Sequence, residues 1–151
     1  MVALAAFTFS YLIDPNFRNG INQLFTYLIK GCIDGVSYLT NIISEIVRSA
    51  SKGRKYSGNE LYHIVAQSDR RAIGSRNILS RYKIGINSSY NTVLIKKSLH
   101  KHIHTNSYHT AVYLILKSAE VKSGSWNTEK YRVISSLVFM NMLLRSANRL
   151  V

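Results

Sequence analysis

The sequence predicts an α+β domain that is mostly helical. Over most of the chain, apolar residues recur at mixed spacings of three and four, which is the pattern of amphipathic helices. Only two short stretches, residues 61–67 and 92–95, are apolar and partly β-branched in the manner of strands. With 151 residues and 46% apolar side chains, the chain is large enough to close the core of one domain.

The first 50 residues predict a neutral, apolar, helical segment. Residues 21–47 show helical spacing interrupted by two glycines, so we expect two short helices or one broken helix. Residues 1–13 are apolar, but they lack a basic flank and are too short to cross a bilayer as a helix, which favours a place in the core. Insertion of residues 21–47 into a membrane is the alternative, and it is opposed by Lys30, Asp34 and Glu45.

Charge divides the chain at a polar segment rich in Gly, Ser and Lys, which we interpret as a linker over residues 51–60. Three of the 20 Lys and Arg residues precede it and are balanced by three acidic residues, whereas residues 51–151 hold the other 17 with only four acidic residues. Residues 61–151 are therefore predicted to form a basic domain. A basic surface attracts polyanions through counterion release, so nucleic acid is favoured over an anionic membrane or an acidic protein as partner.

The basic domain begins with a strand over residues 61–67, followed by a helix with a cap signal at Ser68 or Asp69. Turn residues over 85–91 predict a loop, and residues 92–95 predict the second strand. A long helix is expected from about Ser98 to Ala119. A last amphipathic helix is expected to begin with a cap at Asn127 or Thr128.

All five histidines lie between residues 63 and 109. His100 and His104 are spaced i, i+4, so on a helix both imidazoles share one face and can converge on one divalent ion, although this spacing also occurs on solvated helices. The same geometry points His102 away and predicts His109 as a partly exposed polar residue. His63 lies in an apolar strand, where it must be hydrogen-bonded or exposed in a cleft, because burying an unpartnered imidazole is costly.

Several separated stretches of residues 61–108 resemble one group of nucleases. "YHIVAQ" is similar to the opening His-His-Ile-Val element of that group, "RRAIGSRNIL" to its arginine-containing helix, and "GINSSYN" to its Gly-Ile and Asn loop. "NTVLIKKSLHKHIHTNSY" is similar to its Asn, strand, H-x3-H and Thr-x-x-Tyr tail. The group is the HNH/endonuclease VII superfamily, and the resemblance is strongest to the toxin nucleases named for an Ala-His-His motif.

The resemblance implies a ββα-metal (His-Me finger) core with additional N- and C-terminal helices. It implies that His63 is the general base and that Asn91 orients the His63 ring. It also implies that His100 and His104 bind one divalent ion. Tyr62 replaces the first of the two adjacent histidines of the family, and as a third ligand it is poor, because a phenol with an ordinary pKa near 10 must first lose its proton.

Basic side chains near this set are the candidates for substrate binding. Arg71 and Arg76 lie on the helix after the first strand, where they would hold neighbouring phosphates or form an ordinary exposed face. Lys96, Lys97 and Lys101 flank the histidine pair and would give sequence-independent, salt-sensitive binding. Two imidazoles suit Zn²⁺, Ni²⁺ or Mn²⁺ better than Mg²⁺, but a shell completed by water accepts any of these ions.

By the same resemblance, the expected function is that of a metal-dependent, non-specific endonuclease toxin acting on DNA. Such toxins are secreted by a bacterium as part of a larger parent protein, act in the cytoplasm of the target cell and are neutralised by an immunity protein, which the basic charge predicts to be acidic. No stable membrane anchor is expected. The alternatives are an RNase of the same fold, a catalytically impaired nucleic-acid-binding domain, which Tyr62 favours, and a membrane-active toxin acting through residues 1–48.

Overall fold

The computed structural model describes residues 33–53, 56–120 and 125–151. These ranges contain helices, a two-stranded sheet and one short 3-10 helix, Arg70–Ala72. In chain order the helices and strands are α1 (Ile33–Lys52), β1 (Asn59–His63), α2 (Ile73–Arg81), β2 (Thr92–Lys96), α3 (Lys97–Ile103), α4 (Asn106–Ala119) and α5 (Trp126–Leu150). The predicted mostly helical α+β class is therefore confirmed.

The N-terminal segment predicted over residues 1–50 lies mostly outside the described residues, as does the stretch to which the membrane-active alternative belongs. Its described part is α1, which buries the helical series Leu39, Ile42 and Ile46 and packs against α3, α4 and α5. The helix continues to Lys52, inside the predicted linker, and β1 begins at Asn59. The division of the chain into segment, linker and basic domain stays a prediction.

The two strands form an antiparallel pair in which Tyr62 lies opposite Val93 and His63 opposite Thr92. Side chains alternate between the faces of such a pair. Tyr62 and Val93 therefore point into the core, whereas Leu61 and Leu94 on the other face are 58% and 55% exposed. His63 shares this outer face at the end of the strand.

The predicted strand over residues 61–67 is too long, because β1 ends at His63. The next two backbone N–H groups bond to Asn91 instead of to β2: Ile64 donates to its carbonyl at 2.8 Å and Val65 to its side-chain oxygen at 2.8 Å. The chain then turns toward α2. The predicted cap at Asp69 is confirmed for the 3-10 helix Arg70–Ala72 that leads into α2, since the Asp69 carboxylate accepts a bond from the backbone N–H of Arg71 at 2.9 Å.

The long helix predicted from Ser98 to Ala119 is wrong, because it is broken between α3 and α4. Thr105 has an extended backbone, and its hydroxyl accepts a hydrogen bond from the backbone N–H of Tyr108 at 3.1 Å. Threonine in this role starts a new helix. His104 therefore ends α3 in a turn and is not carried on a continuous helical face with His109.

The last helix, α5, begins at Trp126 because the Ser125 hydroxyl, and not Asn127 or Thr128, is its cap. Two asparagines seven residues apart on α5 face β2. Asn141 donates to the carbonyl of Thr92 at 2.9 Å, and Asn148 accepts from the backbone N–H of Lys96 at 2.6 Å. Among the described helices, none combines the length and apolar character needed to cross a membrane.

Candidate active site

A cleft of about 350 Å³ lies beside the end of β1. Its walls come from β1 and the segment after it, from α3 and from the turn that ends α3. The lining residues are Leu61, Tyr62, His63, Ala66, Gln67, Ser68, Asp69, His100 and His104. The fold therefore brings the predicted base, His63, into one cleft with the predicted metal ligands, His100 and His104.

The His63 ring is held by a residue that the sequence did not single out. Its Nε2 lies 2.9 Å from Oδ1 of Asn87, and the same oxygen accepts a bond from the Gln67 amide at 2.8 Å. An amide oxygen only accepts hydrogen bonds. The neutral ring of His63 therefore carries its proton on Nε2, which leaves the lone pair on Nδ1 to accept a proton.

Asn91, predicted to orient this ring, has a different position. Its side chain is fully buried and donates to the carbonyls of Val65 and Ile86 at 3.1 and 2.7 Å, in addition to accepting from Val65. In the described part of the chain, none of its side-chain bonds reaches His63. Asn91 therefore shapes the backbone beside β1, and Asn87, from the same loop, contacts the ring.

The structure brings the predicted histidine pair together. Nε2 of His100 and Nε2 of His104 are 3.0 Å apart. The other ring nitrogen of His100, Nδ1, lies 2.6 Å from the Glu60 carboxylate, which the sequence analysis did not single out. Glu60 faces α3 because side chains alternate along β1.

Tyr62 packs beneath this pair. Its ring centroid lies 5.1 Å from that of His100 and 5.4 Å from that of His104, and the side chain is 1% exposed. Its hydroxyl has no hydrogen-bond partner among the described residues, and burial raises its pKa well above the ordinary value. Tyr62 is therefore a buried packing residue beneath the histidine pair.

A second group of ligand atoms surrounds His104. Asp69, His104 and His109 each offer one atom, and these atoms lie within 4.8 Å of one another. His109 is 2% exposed, so its predicted partial exposure is wrong. The cause is the break before α4, which turns His109 toward His104. Burial is the main cause of a lowered pKa of both histidines, and this favours the neutral form that binds metal.

Comparison with known proteins bears directly on this arrangement. A family model described as a nuclease family of the HNH/ENDO VII superfamily with conserved AHH matches residues 43–145. The chain belongs to this family. No curated protein and no solved structure matches it.

As an AHH nuclease, the chain is a hydrolase that acts on nucleic acid, and nucleases of the HNH type use a divalent metal ion. The residues present fit such an ion. The cleft offers half-buried imidazoles and an ionised carboxylate, Asp69, whose pKa is held well below its usual range by hydrogen bonds from Arg71. Nitrogen and oxygen donors of this kind suit Zn²⁺, Mn²⁺ and related ions.

The guanidinium groups of the two arginines predicted to bind phosphates form hydrogen bonds to other residues of the AHH nuclease. Arg71 donates to both carboxylate oxygens of Asp69, at 2.9 and 2.6 Å, and also to the His104 carbonyl and the Asn106 side chain. Arg76 donates to the carbonyls of Ala66 and Asp69 at 2.8 and 2.7 Å. Both guanidinium groups therefore hold the segments that build the cleft, and their contact with substrate stays a prediction.

The three predicted lysines lie toward the other end of the strand pair from His63. Lys96 is paired with Asn59, four residues along β1 from His63, which is about 13 Å of strand. Its ammonium group donates to the carbonyl of Val151 at 3.0 Å, and that of Lys101 lies 3.5 Å from the centre of the Tyr56 ring. Lys97 is exposed. Contact of these lysines with substrate stays a prediction.

Proposed function

We propose that this AHH nuclease is a metal-dependent, non-specific endonuclease toxin that hydrolyses phosphodiester bonds of DNA. The observation that supports the proposal is that His63 lines the same cleft as His100, His104 and Asp69, which are the candidate metal ligands. A base for water and a cation for phosphate are the two groups that phosphodiester hydrolysis needs most.

In this mechanism His63 removes a proton from the attacking water through Nδ1. The Asn87 oxygen keeps the ring proton on Nε2 and fixes the orientation of the ring, so that the lone pair points away from the loop. General-base assistance of this kind contributes roughly 10²–10⁴-fold to the rate. Asn91 supports the step indirectly, since it holds the backbone that follows His63.

His104 is the candidate metal ligand common to both groups of donors, with His100 on one side and with Asp69 and the buried His109 on the other. When bound, a divalent ion neutralises charge on the scissile phosphate and stabilises the departing oxygen. Zn²⁺, Ni²⁺, Mn²⁺ and Mg²⁺ are the candidates. A donor set with imidazole favours the first three.

Binding of the substrate is proposed to depend on charge rather than on sequence. The chain carries a formal net charge of +13, and Lys96 at the end of β2 and Lys97 and Lys101 on α3 lie toward the other end of the strand pair from His63. Contacts of lysine with phosphates position a nucleic acid without reading its bases. DNA is the proposed substrate, and an RNase of the same fold is the alternative.

The toxin role comes from the family resemblance and from the charge. We propose that the protein is secreted by the producing bacterium as part of a larger protein and acts in the cytoplasm of a target cell. A cognate immunity protein with an acidic surface would be attracted to the basic surface of this chain at long range, since complementary charge speeds association. Mixing the protein with an acidic protein encoded beside it would test the proposed immunity partner, which should bind the chain and stop plasmid cleavage.

Digestion of plasmid DNA and of total RNA, each with a series of divalent ions, tests the catalytic proposal. We expect wild type to cut plasmid and His63→Ala and His104→Ala to lose at least about 100-fold in rate. His102→Ala is the matched control, because His102 bonds to the Ser98 carbonyl at 2.8 Å and does not line the cleft. Digestion of RNA alone would replace DNase by RNase, and no digestion of either substrate would refute the proposal.

A further inference from the structure

The outer face of the strand pair carries three cross-strand pairs of side chains, which are His63 with Thr92, Leu61 with Leu94, and Asn59 with Lys96. Neighbouring pairs on this face are about 7 Å apart, because each residue advances a strand by about 3.4 Å. Two leucines therefore lie between the proposed base, His63, and the end of the strands at which Lys96 is found.

These two leucines, Leu61 and Leu94, are called the leucine pair. They are 58% and 55% exposed, although side chains directly opposite each other in an antiparallel pair cover part of one another. A sheet face that meets water normally carries polar side chains. The leucine pair is therefore an apolar ridge on a face where the fold alone does not require one.

The leucine pair is continuous with the candidate active site. Leu61 lines the same cleft as His63, His100 and His104. A general base must lie within about 3 Å of the group whose proton it takes, so a phosphodiester in this cleft places its scissile phosphate beside His63. The nucleotide attached to that phosphate then reaches Leu61, which is the next side chain along the same face.

The chemistry of leucine selects which part of that nucleotide it contacts. An apolar side chain placed against a phosphate removes water from the charge and supplies no hydrogen bond in return, which is unfavourable. Sugar carbons and the faces of bases offer apolar surface, and leucine is among the side chains that proteins insert between base steps. The part of a nucleic acid that fits the leucine pair is therefore the nucleoside.

A second copy of this chain is a weaker candidate for the same surface. Each copy carries a formal net charge of +13, so two copies repel one another at long range. Nucleic acid has the opposite charge and is the substrate of the AHH family. It also has to enter the cleft that Leu61 lines.

We propose that the leucine pair binds the sugar and base of the nucleotide next to the scissile phosphate. This rests on the proposed function, since it takes His63 as the base. Every nucleotide has an apolar surface of this kind, so the contact adds affinity without selecting a sequence. It supplies what the predicted lysine contacts with phosphates lack.

Fluorescence anisotropy of labelled DNA and RNA oligonucleotides, mixed with the whole chain in EDTA, tests this contact without cleavage. We expect the Leu61→Thr, Leu94→Thr double variant to bind about tenfold more weakly than wild type, because its side chains bury less apolar surface against the nucleoside. Threonine suits an exposed strand, so the sheet should be kept, and thermal melts verify this. The Leu61→Ile, Leu94→Ile variant retains the apolar surface and should bind within about threefold of wild type.

The matched control is the Leu114→Gln, Leu150→Gln double variant. It also removes two exposed leucines, but they lie on α4 and α5 and do not line the cleft. Glutamine is a good helix former, so both helices should be kept. This variant should bind as wild type, and a loss equal to that of the threonine variant would refute a specific role of the leucine pair.

The dependence of binding on salt separates an apolar contact from a charged one. Loss of one phosphate contact lowers the slope of log affinity against log salt by about 0.9, whereas loss of an apolar contact shifts the line without changing its slope. We therefore expect parallel lines for wild type and the threonine variant from about 50 to 200 mM salt. A changed slope, or equal affinity of the two proteins, would overturn the proposal, and equal affinity would leave the leucine pair to a protein partner.

An oligonucleotide whose central nucleotides lack their bases distinguishes the two parts of the nucleoside. If the base makes the contact, the advantage of wild type over the threonine variant disappears on this DNA, and if the sugar makes it, the advantage remains. Cleavage assays with metal keep this proposal apart from the nuclease proposal. Wild-type binding and cleavage by the threonine variant would refute only the contact, whereas weaker binding by this variant with no cleavage by wild type would refute only the nuclease.

Discussion

By the resemblance to the AHH nucleases, Tyr62 replaces a histidine, and its surroundings make it a packing residue. We expect Tyr62→Phe to leave Zn²⁺ binding and plasmid cleavage unchanged. The free energy of unfolding should change by no more than about 1 kcal/mol, because the hydroxyl is buried and has no hydrogen-bond partner among the described residues other than the neighbouring Tyr108 hydroxyl. Urea denaturation and calorimetry measure the two effects. A loss of Zn²⁺ binding in this variant would show that the phenol is a ligand after all.

Asn87 and Asn91 lie in one loop, but their substitution by alanine should have different effects. Asn87→Ala removes the bond to His63 Nε2, so we expect plasmid cleavage to fall about tenfold or more with little change in the free energy of unfolding. Asn91→Ala removes three bonds to buried backbone and should lower that free energy by about 2–4 kcal/mol. Cleavage assays and urea denaturation on both variants separate these roles, and equal effects on both measurements would contradict them.

At the scale of elements, the break between α3 and α4 determines where the histidines lie. Thr105→Ala removes the cap of α4 and should destabilise the fold by about 1 kcal/mol. It should also weaken Zn²⁺ binding, because His104 and His109 lie on the two sides of the break. Thr105→Ser keeps a hydroxyl and should behave as wild type. Thr110→Ala, an exposed change within α4, is the matched control for the loss of a threonine.

Much of the element order could be predicted from the sequence, because periodicity, the Asp69 cap and the turn residues of the loop are local signals. His63, His100 and His104 were also placed in one region by spacing and resemblance. The break at Thr105 was missed since the apolar stripe continues across it, and only the polar run Thr-Asn-Ser signalled a cap. Asp69, His109 and the Glu60 contact depend on packing between distant segments, which spacing does not report.

At the scale of the whole molecule, the charge of +13 should make cleavage strongly dependent on salt. We expect the Lys97→Gln, Lys101→Gln double variant to lower the slope of log rate against log salt by up to about 2, with each lost phosphate contact contributing about 0.9. Lys130→Gln is the control, because Lys130 lies over the Trp126 ring at the start of α5. Plasmid cleavage from 50 to 200 mM salt measures the slopes, and equal slopes would exclude these lysines from substrate binding.

Three buried tyrosines should limit stability at high pH. Burial raises the pKa of Tyr62 and Tyr108, and burial together with a bond to Glu129 raises the pKa of Tyr82 to about 12. A tyrosine whose pKa is higher in the folded protein than its ordinary value near 10 contributes stability that is fully present below pH 10. That contribution is lost as the pH rises through the pKa of the folded state. The urea midpoint should therefore fall between pH 10 and 12. A smaller fall in Tyr82→Phe supports this cause, and an unchanged fall would contradict it.

The hydrogen bonds between β2 and the side chains of Asn141 and Asn148 affect whether two copies of the protein can pair through the edge of the sheet. A two-stranded sheet has two open edges, and an open edge invites pairing with the same strand of another chain. The asparagines engage backbone groups at both ends of β2 on the side away from β1, and so act as blockers of that edge. Leucine at both positions would free it, and the concentrated protein would then be prone to strand exchange and fibrous aggregation while a dilute sample stayed monomeric.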